Sequence, residues 1–172
     1  MVRFAYSMND LSFGKLMTVY EESNLNNVNM LYPHMDKNAA IHVVEQAFYA
    51  YMKDVFFKTK GACCAVLEEN DQYCSIVRTE PYLDGVILTG LETAPKFRRM
   101  GYATRLYTEL LKALPKAVYV HVCKDNHASL LLHKKFGFSI VDRYALYLDG
   151  SRSEDAYTLH RNLLAKEIAI DK

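Results

Sequence analysis

Leu91-Glu92-Thr93-Ala94-Pro95-Lys96-Phe97-Arg98-Arg99-Met100-Gly101-Tyr102-Ala103 is the stretch whose reading decides the fold. It predicts a strand running to Pro95, a short basic turn, and the opening of a strongly periodic helix. Ala103, Leu106, Tyr107, Leu110, Leu111 and Leu114 recur at the three- and four-residue spacing of a helix buried on one face. Pro115 closes that helix, because proline disfavours helical geometry in the residue before it. The turn Arg98-Arg99-Met100-Gly101 therefore presents the first, unpaired N–H groups of the helix. Such amides, with the helix dipole behind them, suit a phosphate or diphosphate. Gly101 lets an anion come close to the backbone, and the two arginines add positive charge.

A second segment runs from Val120-His121-Val122-Cys123-Lys124-Asp125-Asn126 through Ala128 to Phe136-Gly137-Phe138. With it the chain resembles the GNAT superfamily of N-acyltransferases. Arg98-x-x-Gly101-x-Ala103 is similar to that family's (Gln/Arg)-x-x-Gly-x-(Gly/Ala) signature, and the second segment is similar to its later strand–helix unit. A short glycine pattern alone is weak, but both motifs in this order make a strong signal. Together with their flanking strands they cover residues 60–148.

Length and composition set bounds. One domain, 1–172, is expected, long enough for a substantial core. Lys and Arg number 21 against 20 Asp and Glu, a formal charge of +1. That balance argues against nucleic-acid and membrane-surface partners, which call for a broad basic patch. The start, Met1 to Tyr6, lacks a signal-peptide apolar region, and no stretch approaches a membrane span, so a cytoplasmic location is expected. Cys63, Cys64, Cys74 and Cys123 have neither redox-pair nor metal-ligand spacing, so no metal is expected.

In chain order, residues 2–7 read as a strand and Asn9-Asp10 as the cap of a helix through Leu16, Met17 and Tyr20. Ser23 to Asn38, rich in asparagine, reads as a loop, and 37–58 as a helix. Strands are expected at 62–67, 73–79, 86–93, 117–122, 138–148 and 156–161, with a helix from Asn126 to Phe136 ended by Gly137. Leu163 to Lys172 form a tail with no assignment. These elements predict an α+β, three-layer α/β/α fold. The resemblance implies a mixed, mostly antiparallel central sheet of about seven strands.

The resemblance further implies an acetyl-CoA-dependent N-acetyltransferase, acting by direct attack of an amine in a ternary complex. Backbone groups of Leu91, Glu92 and Thr93 would run beside the acyl-pantetheine arm. The amides of Arg99, Met100, Gly101, Tyr102, Ala103 and Thr104, with Arg98, would hold the diphosphate, and Asn126 would bond the pantetheine. An alkylamine with a pKa of about 10.4 must lose a proton before it attacks. His121 stands where many family members carry a glutamate, and its ordinary pKa of about 6.5 suits a base. Its alternative is a half-buried structural histidine. Glu92 is the competing base, since a carboxylate within an apolar strand is costly unless it lines a wet site or is paired. His133 replaces the family's usual tyrosine acid. It is read either as an acid for the thiolate or as a solvated helix residue, and the departure favours an alternative function, a CoA-binding module without turnover. Tyr32, His34, Met35, Tyr144, Tyr147 and Tyr157 are candidate walls for an amine-bearing acceptor, whose identity the sequence does not give. A homodimer is allowed for.

Overall fold

The structure, a computed structural model, describes residues 1–114 and 117–162. Its elements are β1 (Val2–Ala5), α1 (Phe13–Val19), α2 (Glu21–Leu31), α3 (Lys37–Asp54), β2 (Cys63–Glu69), β3 (Gln72–Tyr82) and β4 (Gly85–Thr93). There follow α4 (Tyr102–Ala113), β5 (Val118–Cys123), α5 (His127–Lys135), β6 (Ser139–Asp142), β7 (Ala145–Leu146), β8 (Arg152–Ser153) and β9 (Ala156–Arg161). Seven strands form one mixed sheet in the order β1-β2-β3-β4-β5-β9-β6, and β7 pairs with β8 separately. The expected α+β class and strand number are those observed. Pro115 and the tail Leu163–Lys172 lie outside the described residues.

Two compact units are delineated, one comprising Met1–Arg78 with Gly90–Leu110, the other Thr79–Thr89 with the chain from Leu111 onward. In the first unit, β1 pairs antiparallel with β2 from Val2↔Leu67 to Ala5↔Cys64. Leu16, Val19, Tyr20, Met52, Phe56, Cys64, Val66, Tyr73 and Ile76 share its main core. Asn70 and Asp71 both take left-handed backbone, φ 50 and 60, which gives the β2–β3 hairpin a tight turn matched to strand twist.

The expected loop over Ser23–Asn38 is corrected: Glu21–Leu31 is helical. Asparagines make poor helix formers, but packing overrides propensity here. Val28 is buried with Ala40 and Val44 of α3, and Asn24, 6% exposed, donates to Met17 Sδ at 3.5 Å. The helix expected from Asn9-Asp10 is also corrected. Asp10 Oδ2 accepts from the N–H groups of Tyr6 and Ser7, both at 2.9 Å, closing a separate single turn, and α1 begins at Phe13. The helix expected to reach Lys58 ends at Asp54, and a single tighter turn over Phe56–Lys58 drives Phe56 into the core.

In the second unit, β4 pairs parallel with β5 from Val86↔Val118 to Leu88↔Val120. A Cβ at Gly85 would stand 1.9 Å from Ala117 O, so only glycine admits that approach. β5 pairs antiparallel with β9 from Val118↔Arg161 to Cys123↔Ala156. As expected, Val118, Val120 and Val122 are all buried on one face of β5. The single strand expected over 138–148 divides into β6 and β7, with an irregularity in the β6–β9 ladder between Ile140 and Asp142. Gly137, with φ +80, follows the end of α5 as expected.

Candidate functional site

In the first unit, residues 94–101 join the end of β4 to the start of α4. Ser75 Oγ donates to Glu92 O at 2.7 Å and lies 3.1 Å from Thr93 Oγ1, and Ala94 N–H bonds Cys74 O at 3.0 Å. Leu91, Glu92 and Thr93 thus have a fixed backbone. The chain next turns through Pro95–Phe97, and Arg98 Nε donates to Thr93 O at 3.3 Å while its guanidinium pairs with Glu22. Arg98 is therefore spent on holding the turn. Arg99 then takes left-handed backbone at φ 60, and Gly101 does the same at φ +83.

This geometry frees a run of amides. The first bond into α4 is Arg105 N–H to Gly101 O at 3.0 Å. Among the described residues, no acceptor meets the N–H groups of Arg99, Met100, Gly101, Tyr102, Ala103 or Thr104. A Cβ built on Gly101 would meet nothing within 4 Å, so the space before the turn is open. Alternating left-handed and ordinary backbone at a helix start is a geometry that concentrates N–H groups on an anion. The helix start is anchored from below by Glu69, a residue the sequence reading passed over. Glu69 accepts from Tyr102 Oη at 2.5 Å and from Arg105 at 3.3 Å, and these two donors hold its carboxyl below the ordinary range.

Glu92 points to chemistry of another kind. Its Oε1 accepts from Ser23 Oγ at 2.6 Å, and burial pushes its carboxyl above the usual value, with Ser23 and Arg98 pulling the other way. A carboxylate so placed gives up its charge more readily than a surface glutamate does.

In the second unit, His121 sits on β5 opposite the three valines. Its ring meets Tyr82 and Tyr147 edge-on, with centroids 5.6 and 5.2 Å away. Nε2 is closed from solvent and has no hydrogen-bond partner, and burial lowers the pKa. The imidazole is thus neutral near pH 7, with a nitrogen to spare. Tyr82, also passed over in the sequence, donates to Leu146 O at 2.8 Å, so it both faces His121 and holds β7. Tyr147 is the one acceptor-wall candidate found against a catalytic candidate. Tyr119 is not a competing base. Its phenol donates to Asp84 at 2.6 Å and is pushed up to about 12.

Asn126 and His133 converge on one residue. Asn126 Oδ1 accepts from Ser129 N–H at 3.0 Å, capping α5 with its own side chain. His133 Nδ1 lies 2.7 Å from Ser129 O, and its ring packs edge-on against Phe138. Only 3% exposed, His133 is not the solvated helix residue that one reading expected. Burial lowers its pKa, which disfavours the imidazolium form that an acid role requires. Among the described residues no group of three His, Cys, Asp or Glu is placed to hold a metal, and no helix is long and apolar enough to cross a membrane.

Comparison with known proteins bears on these features. The model of the acetyltransferase (GNAT) family matches residues 29–138. The "Probable N-acetyltransferase san" of Drosophila melanogaster is 29% identical over 124 residues, 69% of this chain. The chain spans 60% of that relative's length. Among solved structures, PaiA N-acetyltransferase from Thermoplasma acidophilum in complex with coenzyme A is similar at a TM-score of 0.63 and 12% identity, over 95% of this chain and 99% of that one. The ribosomal-protein-S18-alanine N-acetyltransferase of Escherichia coli is similar at a TM-score of 0.58 and 19% identity, over 93% and 92%. At these identities the two structures speak for the fold.

Proposed function

The chain belongs to the acetyltransferase (GNAT) family, and on that premise we propose that it transfers an acetyl group from acetyl-CoA to an amine by direct attack in a ternary complex. One observation carries the proposal: six successive amides, Arg99 to Thr104, stand without acceptors before the open space at Gly101. They suit the diphosphate of coenzyme A, and the fixed backbone of Leu91–Thr93 suits its pantetheine arm. Asn126, with Oδ1 committed to its cap, has its amide N–H groups left for that arm.

His121 takes the proton from the attacking amine. Its unbonded Nε2 and lowered pKa keep it in the basic form at neutral pH. Glu92, raised by burial, is the alternate base. His133, buried and neutral, supports α5 rather than protonating the leaving thiolate, which at a pKa of about 8.5 needs little help. The acceptor we propose is an amine-bearing small molecule or peptide.

The test is free-thiol release from acetyl-CoA across an amine panel, with coenzyme A binding measured in parallel. Turnover on an amine is the expected result. A second reading, a CoA-binding module, draws on the buried histidine where the family's tyrosine acid is expected. It gains if coenzyme A binds and no amine is acetylated. His121→Ala should lower kcat by about a hundredfold or more while leaving coenzyme A affinity in place. In the wild type the acidic limb should fall below the ordinary imidazole value, because burial lowers the His121 pKa. An unchanged rate in the variant transfers the role to Glu92.

A further inference from the structure

The first unit holds a second charged feature that the acetyl-CoA reading does not use. Arg78 lies on β3, and its guanidinium is enclosed by three rings of the helical layer, Phe48 at 5.8 Å, Tyr51 at 5.5 Å and Phe56 at 5.9 Å. Nε is sealed from solvent without a hydrogen-bond partner. Among the described residues the other guanidinium nitrogens meet no acceptor either. One donor of a permanent cation, Nε, is thus held out of water and unbonded, which is expensive to keep, while the half-buried side chain leaves its two Nη nitrogens reachable. Aromatic faces recover part of that cost but accept no N–H bond in the guanidinium plane.

The surroundings are shaped to this group. A Cβ at Gly90 would stand 2.7 Å from Arg78 Nη2 and 3.0 Å from Nε, so the guanidinium lies directly against β4 at this glycine. Gly90 has φ +58, a kink in the strand, and its carbonyl is held by Tyr20 Oη at 3.0 Å. Two residues further along β4 stands Glu92, close enough to Arg78 for each charge to act on the other. Successive odd or even strand positions share a face, so Arg78 and Glu92 bracket one spot with opposite charges.

We propose that Arg78 binds a carboxylate of the acceptor, so that the acceptor is an amine carrying a carboxylate near it, as an amino acid does. The guanidinium edge left unbonded between the rings matches a planar carboxylate, which takes two parallel N–H bonds. Glu92 offers the opposite charge to the ammonium of the same molecule. That pairing favours a zwitterion over a phosphorylated amine, whose second negative charge Glu92 would repel. The proposal deepens the acetyltransferase reading by naming its acceptor class, and it rests on that reading for the acceptor's fate but not for its binding.

Binding is therefore tested apart from turnover. Saturation-transfer NMR on the full chain, without acetyl-CoA, compares L-amino acids with their C-terminal amides and with phosphoethanolamine, for wild type, Arg78→Lys, Arg78→Gln and Arg78→Met. The expected result is that amino acids bind wild type about tenfold or more tightly than their amides, the worth of one charge-assisted bond. The preference should shrink in Arg78→Lys and vanish in Arg78→Gln and Arg78→Met, with coenzyme A affinity unchanged. Equal binding of acid and amide by wild type, or a preference that survives Arg78→Met, overturns the proposal. Tighter binding of phosphoethanolamine overturns the carboxylate assignment. Should Arg78→Met not fold, the acid–amide comparison on wild type and on Arg78→Gln still decides. Amino acids that bind through Arg78 but are never acetylated would uphold the subsite and sink the transferase reading.

Discussion

The starts of α4 and α5 are built from the same parts and end in opposite states. Each follows a strand and a short turn, and each presents a row of helix-opening amides. At α5 the chain answers its own need: Asn126 Oδ1 takes Ser129 N–H, and Ser129 O in turn takes His133 Nδ1. At α4 the residue in the capping position is Gly101, which has no side chain to offer, and six amides remain open. A helix start is therefore a site by what the sequence withholds from it. Arg98 and Glu69 tie down the surroundings of the α4 turn while leaving its amides free.

The largest expected effect comes from closing the open start. Gly101→Val places a branched side chain where φ is +83 and where the anion would lie. Coenzyme A affinity should fall about a hundredfold, or about 2.7 kcal/mol, by calorimetry. The fold should persist, since a Cβ there meets nothing within 4 Å. Unchanged affinity would show that the two helix starts do not differ in the way described.

The contrast sharpens with the reverse experiment. Asn126→Ala removes the cap of α5 and should cost about 1 kcal/mol of stability, a drop of about 2–4 °C in Tm. Coenzyme A affinity should change much less than in the Gly101 variant. A large loss of affinity with no change in Tm would mean that Asn126 serves the ligand rather than its own helix.

Much of this was legible because it is local. The Gly101 turn, the periodic face of α4 and the Gly137 stop each follow from residues a few positions apart. What escaped depended on distant partners. The asparagine run of α2 gives no local reason for a helix, and only Val28 packing on Ala40 and Val44 supplies one. His133 looks solvated beside Lys134 and Lys135, yet it turns inward to Ser129 and Phe138. Tyr82 and Glu69 gain meaning only from His121 and Arg105. Arg78 left little trace, since Ser75, Thr79 and Glu80 share its strand and nothing local sets the one cation of β3 apart.

The smallest effect tests how closed α5 is. Burial lowers the His133 pKa below its ordinary value of 6.5. In the unfolded chain the same imidazole takes its proton near 6.5, so below that pH the unfolded state binds more protons than the folded one. Stability should therefore be flat above about pH 7 and decline as pH falls through 6.5 toward the folded-state pKa. His121, also lowered by burial, adds to the decline with the same sign. His133→Gln should leave only the His121 share, so the slope of unfolding free energy against pH over that window becomes shallower, even though the variant is less stable at pH 7. An unaltered slope would mean that water reaches His133 through the end of α5. The backbone amides of α4 do not ionise in this range, so they should contribute nothing to the slope.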